Sequence, residues 1–302
     1  MKFIRPALID DTVLLSSSVP EDDALAWSAD TNYAVGNVVL RPDHHLYESR
    51  VPGVDASLPE AAPLRWLDLG VSNRWRMFDK KIGSLTTAVD SITVVLAPGR
   101  INALGFIGVD AALLDVSLVV DTEEVFAASY EVGDATQVGS WYEYFFEPPQ
   151  PLSSVFIPDL LSAALLDVPP YGEGVLTVTL SRPGGTVACG LMVAGMLFEI
   201  GDTEFGIESG IVDFSKKERD AYGTVDLREG EYIDDIGLTV EVPADRFDMV
   251  GREVRRVRST PVFWIAAPGY QTFLTYGFLT EWKLVLRNAR KAIFNAKIES
   301  MT

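Results

Sequence analysis

TTAVDSITVVL, residues 86–96, is dominated by β-branched side chains and carries the period of two that marks a strand. Four further segments have the same character: VSLVV at 116–120, VLTVTL at 175–180, LTVEV at 238–242 and VFWIA at 262–266. Each is short and fenced by Gly or Pro. The 17 prolines and 24 glycines are scattered through the chain and supply the frequent turns that a sandwich or barrel requires. The expected fold is therefore all-β and multidomain. Helix signals are few. FDMVGREVRRVR, residues 247–258, places Phe247, Val250, Val254 and Val257 at near-helical spacing with arginines on the other faces. Residues 160–166 offer a second helical turn or two that Pro169 and Pro170 would end.

At 302 residues the chain suggests two or three domains of roughly 100–200 residues each. Its 43 acidic residues against 25 Lys and Arg leave a formal charge of −18, which argues against a nucleic-acid partner and an anionic membrane surface. One cysteine, Cys189, excludes an intrachain disulfide and any multi-cysteine metal site. The only histidines, His44 and His45, are adjacent, and neighbours on an extended chain point to opposite faces. A Ser-His-Asp triad or a three-histidine metal site has too little imidazole to work with, so no catalytic residue, metal site or cofactor is expected. No run approaches the ~18 apolar residues of a membrane span, and the start lacks a signal-peptide pattern, so the expectation is a soluble chain made in the cytoplasm without membrane insertion.

Composition separates three regions. Residues 1–72 hold both histidines and end in WLDLG; residues 73–205 alternate strands and tight turns; residues 206–302 carry the helix signal and a basic cluster. Gly190, Gly195, Gly201 and Gly206 read as places where one backbone approaches another closely or bends. Gly99, after Pro98, fits a turn that needs a positive φ. Asp79 reads as a loop entry whose carboxylate takes nearby amides. Trp264 and Cys189 read as core.

Within the first region, Trp27, Tyr33, Gly36, Val38, Tyr47, Pro59 and Trp66 fall at spacings similar to those of small carbohydrate-binding modules of the chitin- and cellulose-binding type, with Asn37 where that family usually has Asp. Two uses of the rings are open. Exposed in a row, Trp27, Tyr33, Tyr47 and Trp66 would stack on the C–H faces of pyranose rings; packed together, they would be the core of a module too small to have another.

The join WLDLGVSNRWRMFDKKIGS, with Asn73-Arg74-Trp75 and Met77-Phe78-Asp79, is followed by PGRINALGFIGVDA and later by Cys189-Gly190, Gly195, Ile200-Gly201-Asp202-Thr203, Phe205-Gly206, Asp213-Phe214-Ser215-Lys216 and Tyr222-Gly223. Together these stretches resemble tail-tip and baseplate proteins of long-tailed, siphovirus-like bacteriophages. The resemblance implies a small N-terminal β module (1–72), a central β-sandwich of jelly-roll or galactose-binding type (73–205), and a mostly β C-terminal assembly domain with one or two short helices (206–302). It also implies a virion protein whose partners are other tail proteins and further copies of itself, in rings of about three or six.

Arg252, Arg255 and Arg256, with Arg258, reverse the sign of an otherwise acidic chain, and Lys216, Lys217 and Arg219 form a weaker patch. Each patch is either a solvated face or a subunit contact meeting an acidic surface on a neighbour. Three functions follow for comparison: a non-catalytic tail-tip component, with host-surface glycan attachment as an added role; a carbohydrate-binding adhesin; and a glycosidase using paired carboxylates such as Glu123-Glu124 or Asp234-Asp235. The last is disfavoured because adjacent strand residues face opposite ways.

Overall fold

The computed structural model describes residues 1–54, 56–132, 154–157, 173–219, 225–267, 270 and 273–301. It is nearly all β. The strands up to the small sheet are β1 (Lys2–Pro6), β2 (Leu14–Ser17), β3 (Leu25–Ala26), β4 (Val38–Leu40), β5 (His45–Ser49) and β6 (Trp66–Val71). Next come β7 (Thr86–Leu96), β8 (Ala103–Asp110), β9 (Leu113–Val120), β10 (Glu123–Glu131), β11 (Ser154–Ile157) and β12 (Val175–Glu199). The chain continues through β13 (Asp202–Thr203), β14 (Glu208–Asp213), β15 (Lys216–Arg219), β16 (Val225–Arg228) and β17 (Tyr232–Pro243). It closes with helix α1 (Phe247–Arg256), β18 (Val262–Ile265), β19 (Leu274–Leu286) and β20 (Lys291–Ser300).

β7 has the bounds expected from its sequence, and its alternation places Ile92, Val94 and Leu96 in the core. The segments at 116–120, 175–180 and 238–242 lie inside longer strands, because pairing extends past the strongly β-branched part. α1 buries Val250 and Val254 and ends two residues before the sequence pattern does, with Ser259 just beyond in the left-handed region at φ 57°. Among the described residues it is the only α-helix; the turn expected at 160–166 lies outside them. Gly99 has φ 69°, as its turn requires. Asp79 accepts from the Lys81 amide at 2.8 Å and from the Ser84 hydroxyl at 2.6 Å, which fixes that loop entry.

β12 is the spine of the large sheet. Its first part, from Val175 to Ser181, lies between β7 and β9. Arg182, Pro183, Gly184 and Gly185 then face the single residue Asp90, whose φ of 63° and bond from the Gly184 amide (2.6 Å) seat this wide bulge. Past it, β12 pairs with the start of β7, then with β8 from Ala188 to Gly195, and finally with β1 from Gly195 to Glu199. β1 in turn pairs with β18, and the sheet continues through β19, β20 and β17 to β13 and β14. β3 to β6 make a separate four-stranded sheet, and β15 and β16 a separate hairpin. The N-terminal strand thus sits inside the large sheet, apart in pairing from the small module that follows it in sequence.

Three clusters of apolar side chains hold this arrangement. One fills the space among β7, β8, β9 and both parts of β12, with Met77 and Val19 added. A second lies between α1 and the strands β1, β17, β18 and β20. The third joins β8 and β12 to β18 and β19. Successive residues of β1 serve different clusters: Phe3 belongs to the second, with its ring 5.1 Å from that of Trp264, while Ile4 belongs to the third. Trp264 is fully buried and donates from its indole to the Gly277 carbonyl at 3.0 Å.

Cys189 sits in the first cluster with no exposed surface, and burial pushes its thiol up to about 12. Alkylation should therefore track unfolding. Iodoacetamide labelling followed by mass spectrometry is expected to be negligible over hours in native buffer and complete in denaturant; rapid native labelling would contradict this packing.

Candidate functional site

The aromatic ladder folds inward. Tyr33, Tyr47 and Trp66 are buried together with Val39 as the core of the four-stranded module, and the rings of Tyr33 and Trp66 meet edge to face at 5.1 Å. The Ser28 amide donates to the Tyr33 hydroxyl at 2.7 Å, and that hydroxyl donates to the Ser28 carbonyl at 3.2 Å. Burial, aided by Asp43, Asp68 and Glu60, pushes the Tyr47 phenol up to about 12. Trp27 packs on the same core and carries the Arg41 guanidinium 4.9 Å from its ring centre, itself forked onto Glu60 at 3.0 and 3.2 Å. Of the two uses left open for these rings, the four-ring sugar platform is corrected and the core is what the structure shows: Tyr33, Tyr47 and Trp66 have no accessible face, because a module this small uses its aromatics to fold.

The two histidines separate as their adjacency predicts. His45 meets Asp68 at 3.0 Å inside the module. Burial pushes the Asp68 carboxyl up, but the bonds from His45 and the Gly70 amide outweigh it and leave the group below its ordinary range. His44, in the left-handed region at φ 65°, turns out of the module toward the large sheet. Its Nδ1 lies 2.8 Å from Glu21, its Nε2 lies 2.9 Å from Asp11, and its ring stacks on Trp75 at 4.3 Å. The Ser72 amide donates to the His44 carbonyl at 2.7 Å, and the Ser72 hydroxyl to Glu21 at 2.7 Å. Arg74 donates to the Val19 carbonyl, and Asn73 exchanges two bonds with the Thr87 backbone. The SNRW string is therefore a joint between module and body.

On α1 Arg252, Arg255 and Arg256 face outward while Val250 and Val254 are buried, and just past its end Val257 is buried and Arg258 exposed. Arg255 lies over Trp282 at 5.7 Å, and Arg256 pairs at 2.7 Å with Glu253, which also meets Arg5 at 3.3 Å. Arg252 and Arg258 are exposed and have no partner among the described residues. Lys216 is exposed on the separate hairpin, away from α1 in the pairing order, and the side chain of Lys217 lies outside the described part of the structure.

A groove that the sequence did not reveal lies beside β13. It holds about 500 Å³, and Ile207, Ile265 and Phe273 line it together with Phe205, which is fully exposed, and Tyr270, which is 66% exposed. Glu199, Asp202 and Glu204 stand around it. Glu199 is 3.8 Å from Lys2, whereas Asp202 and Glu204 have no ion-pair partner among the described residues. Burial pushes the Met1 amine down to about 6 against the pull of Glu199 and Asp202, and it donates to the Gly201 carbonyl at 2.6 Å. The sequence signal was Phe205 itself, an aromatic residue in the polar turn GDTEFG.

No protein-family model matches the chain, and no curated protein does either. Among the described residues no cluster of His, Cys, Asp and Glu has the makings of a metal site, and no helix is long and apolar enough to cross a membrane. Asp234 is exposed while Asp235 turns inward to Lys297 at 3.0 Å, so this carboxylate pair does not converge. What the surface offers is contact chemistry: an arginine face, an acid-rimmed apolar groove and a jointed module.

Proposed function

We propose that the chain is a structural subunit of a bacteriophage tail tip or baseplate, residing in the virion and acting through protein contacts with other tail proteins and with copies of itself. The observation that carries the reading is the arginine cluster on and just after α1, where Arg252 and Arg258 have no partner among the described residues, on a chain of charge −18. Such a reversal of sign favours directional docking, since opposite patches steer encounter and like charges suppress wrong pairings. The phage-like stretches support it from another side: SNRW forms the module joint, and GDTEFG the groove wall. Glycan attachment, the added role, would require a surface other than Tyr33, Tyr47 and Trp66.

Mass photometry of the purified chain across a concentration series, with electron microscopy of any ring, tests the proposal. Discrete oligomers are expected, and Arg252→Glu combined with Arg258→Glu should weaken them at least ~10-fold. A strict monomer that also fails to join other tail proteins would overturn the reading.

A further inference from the structure

We infer that the groove beside β13 is the receptor for the arginine face of a second copy, an inference that rests on the self-association proposed above and names its missing half. The groove's chemistry is selective. Its apolar lining, with the rings of Phe205 and Tyr270 exposed at it, suits a flat cation on a long aliphatic stem, and the rim ends that stem in two unpaired carboxylates, Asp202 and Glu204. A guanidinium fits this better than an ammonium because it is weakly hydrated, stacks on aromatic faces and binds carboxylates in a fork.

The chain supplies the matching donors but does not bring them to the groove. Arg255 and Arg256 are held by Trp282 and Glu253, and no arginine of α1 pairs with Asp202 or Glu204. Arg246 donates to the Glu199 carbonyl at 2.6 Å through its side chain and pairs with neither Asp202 nor Glu204. Arg252 and Arg258 on one patch and Asp202 and Glu204 on another thus stand without ion-pair partners among the described residues. Joining them between molecules is a heterologous contact, which closes into a ring when the rotation permits and propagates as a filament when it does not.

A charge-swap cycle read by mass photometry and sedimentation velocity tests the inference. Asp202→Lys with Glu204→Lys, and separately Arg252→Glu with Arg258→Glu, should each weaken self-association at least ~10-fold, and an equimolar mixture of the two variants should recover most of it as hetero-oligomers. Phe205→Ser, at a fully exposed position, should weaken association while leaving the circular dichroism spectrum unchanged, so the groove is tested even if a charge variant misfolds. Association that is untouched by the groove variants yet lost with the arginines would overturn this inference and leave the proposed function standing. A chain that remains monomeric up to ~100 μM, far weaker than ordinary micromolar contacts, would overturn both.

Discussion

Gly195→Val should leave the chain unable to hold β1 against β12, lowering stability by about 3 kcal/mol or more. A Cβ on Gly195 would lie 2.0 Å from the Arg5 carbonyl oxygen and 2.8 Å from its carbon. Those are backbone atoms of the paired strand, so no rotamer change relieves the overlap; β1 must move. Yet β1 is fixed from its other side by β18, and Phe3 and Ile4 plug separate cores. The displacement therefore propagates into both. Gly210→Ala is the control: it lies in β14 with open space around its Cβ position and no positive φ, and should change stability by less than about 0.5 kcal/mol. Urea denaturation followed by circular dichroism compares the two. Equal midpoints for Gly195→Val and Gly210→Ala would mean that the two backbones do not approach as closely as described.

Trp66→Ala is expected to unfold the small module while the large sheet persists. Trp66 is 2% exposed and shares its core with only Tyr33, Val39 and Tyr47 as fully buried neighbours. Truncating such a ring costs about 3–5 kcal/mol in a larger protein, and a four-stranded module has little reserve. Limited proteolysis should then cut within residues 25–71 and spare a fragment beginning near Trp75. Trp27→Ala should cost less, about 1–2 kcal/mol, because that ring is only partly buried at the edge of the core and its loss removes that edge packing and the Arg41 contact. A sugar platform would give another pattern, with both variants folded and only binding lost. Two folded variants of wild-type protease resistance would restore that reading.

These contrasts show what the sequence could carry. Local facts were legible: the bounds of β7, the buried face of α1, the positive φ of Gly99 and the carboxylate bonds of Asp79 are each set by side chains a few residues apart. Close approach at Gly190, Gly195 and Gly201 was also readable, since only glycine has no Cβ to forbid it. The partners were not. Nothing in KFIRP says that it lies between β12 and β18, both far along the chain from it, because strand pairing is a non-local choice. The same limit applies to the aromatic ladder, whose spacing is identical whether the rings face sugar or one another. It applies again to the groove, which exists only once β13, β18 and the turn at Phe205 have been brought together.

The position of β1 also sets a timetable. Lys2 pairs with Glu199 on one side and with Ile265 on the other. On a ribosome the strand emerges well ahead of its second partner, β18, by an interval on the order of tens of seconds at ordinary elongation rates. Until β18 is made, Phe3 and Ile4 lack one of their two neighbouring strands, so the growing chain presents an apolar strand with an open edge that invites chaperone capture. Completion of the large sheet therefore waits for β18: a nascent chain halted before it could form β7 to β9 but could not seat β1 on both sides.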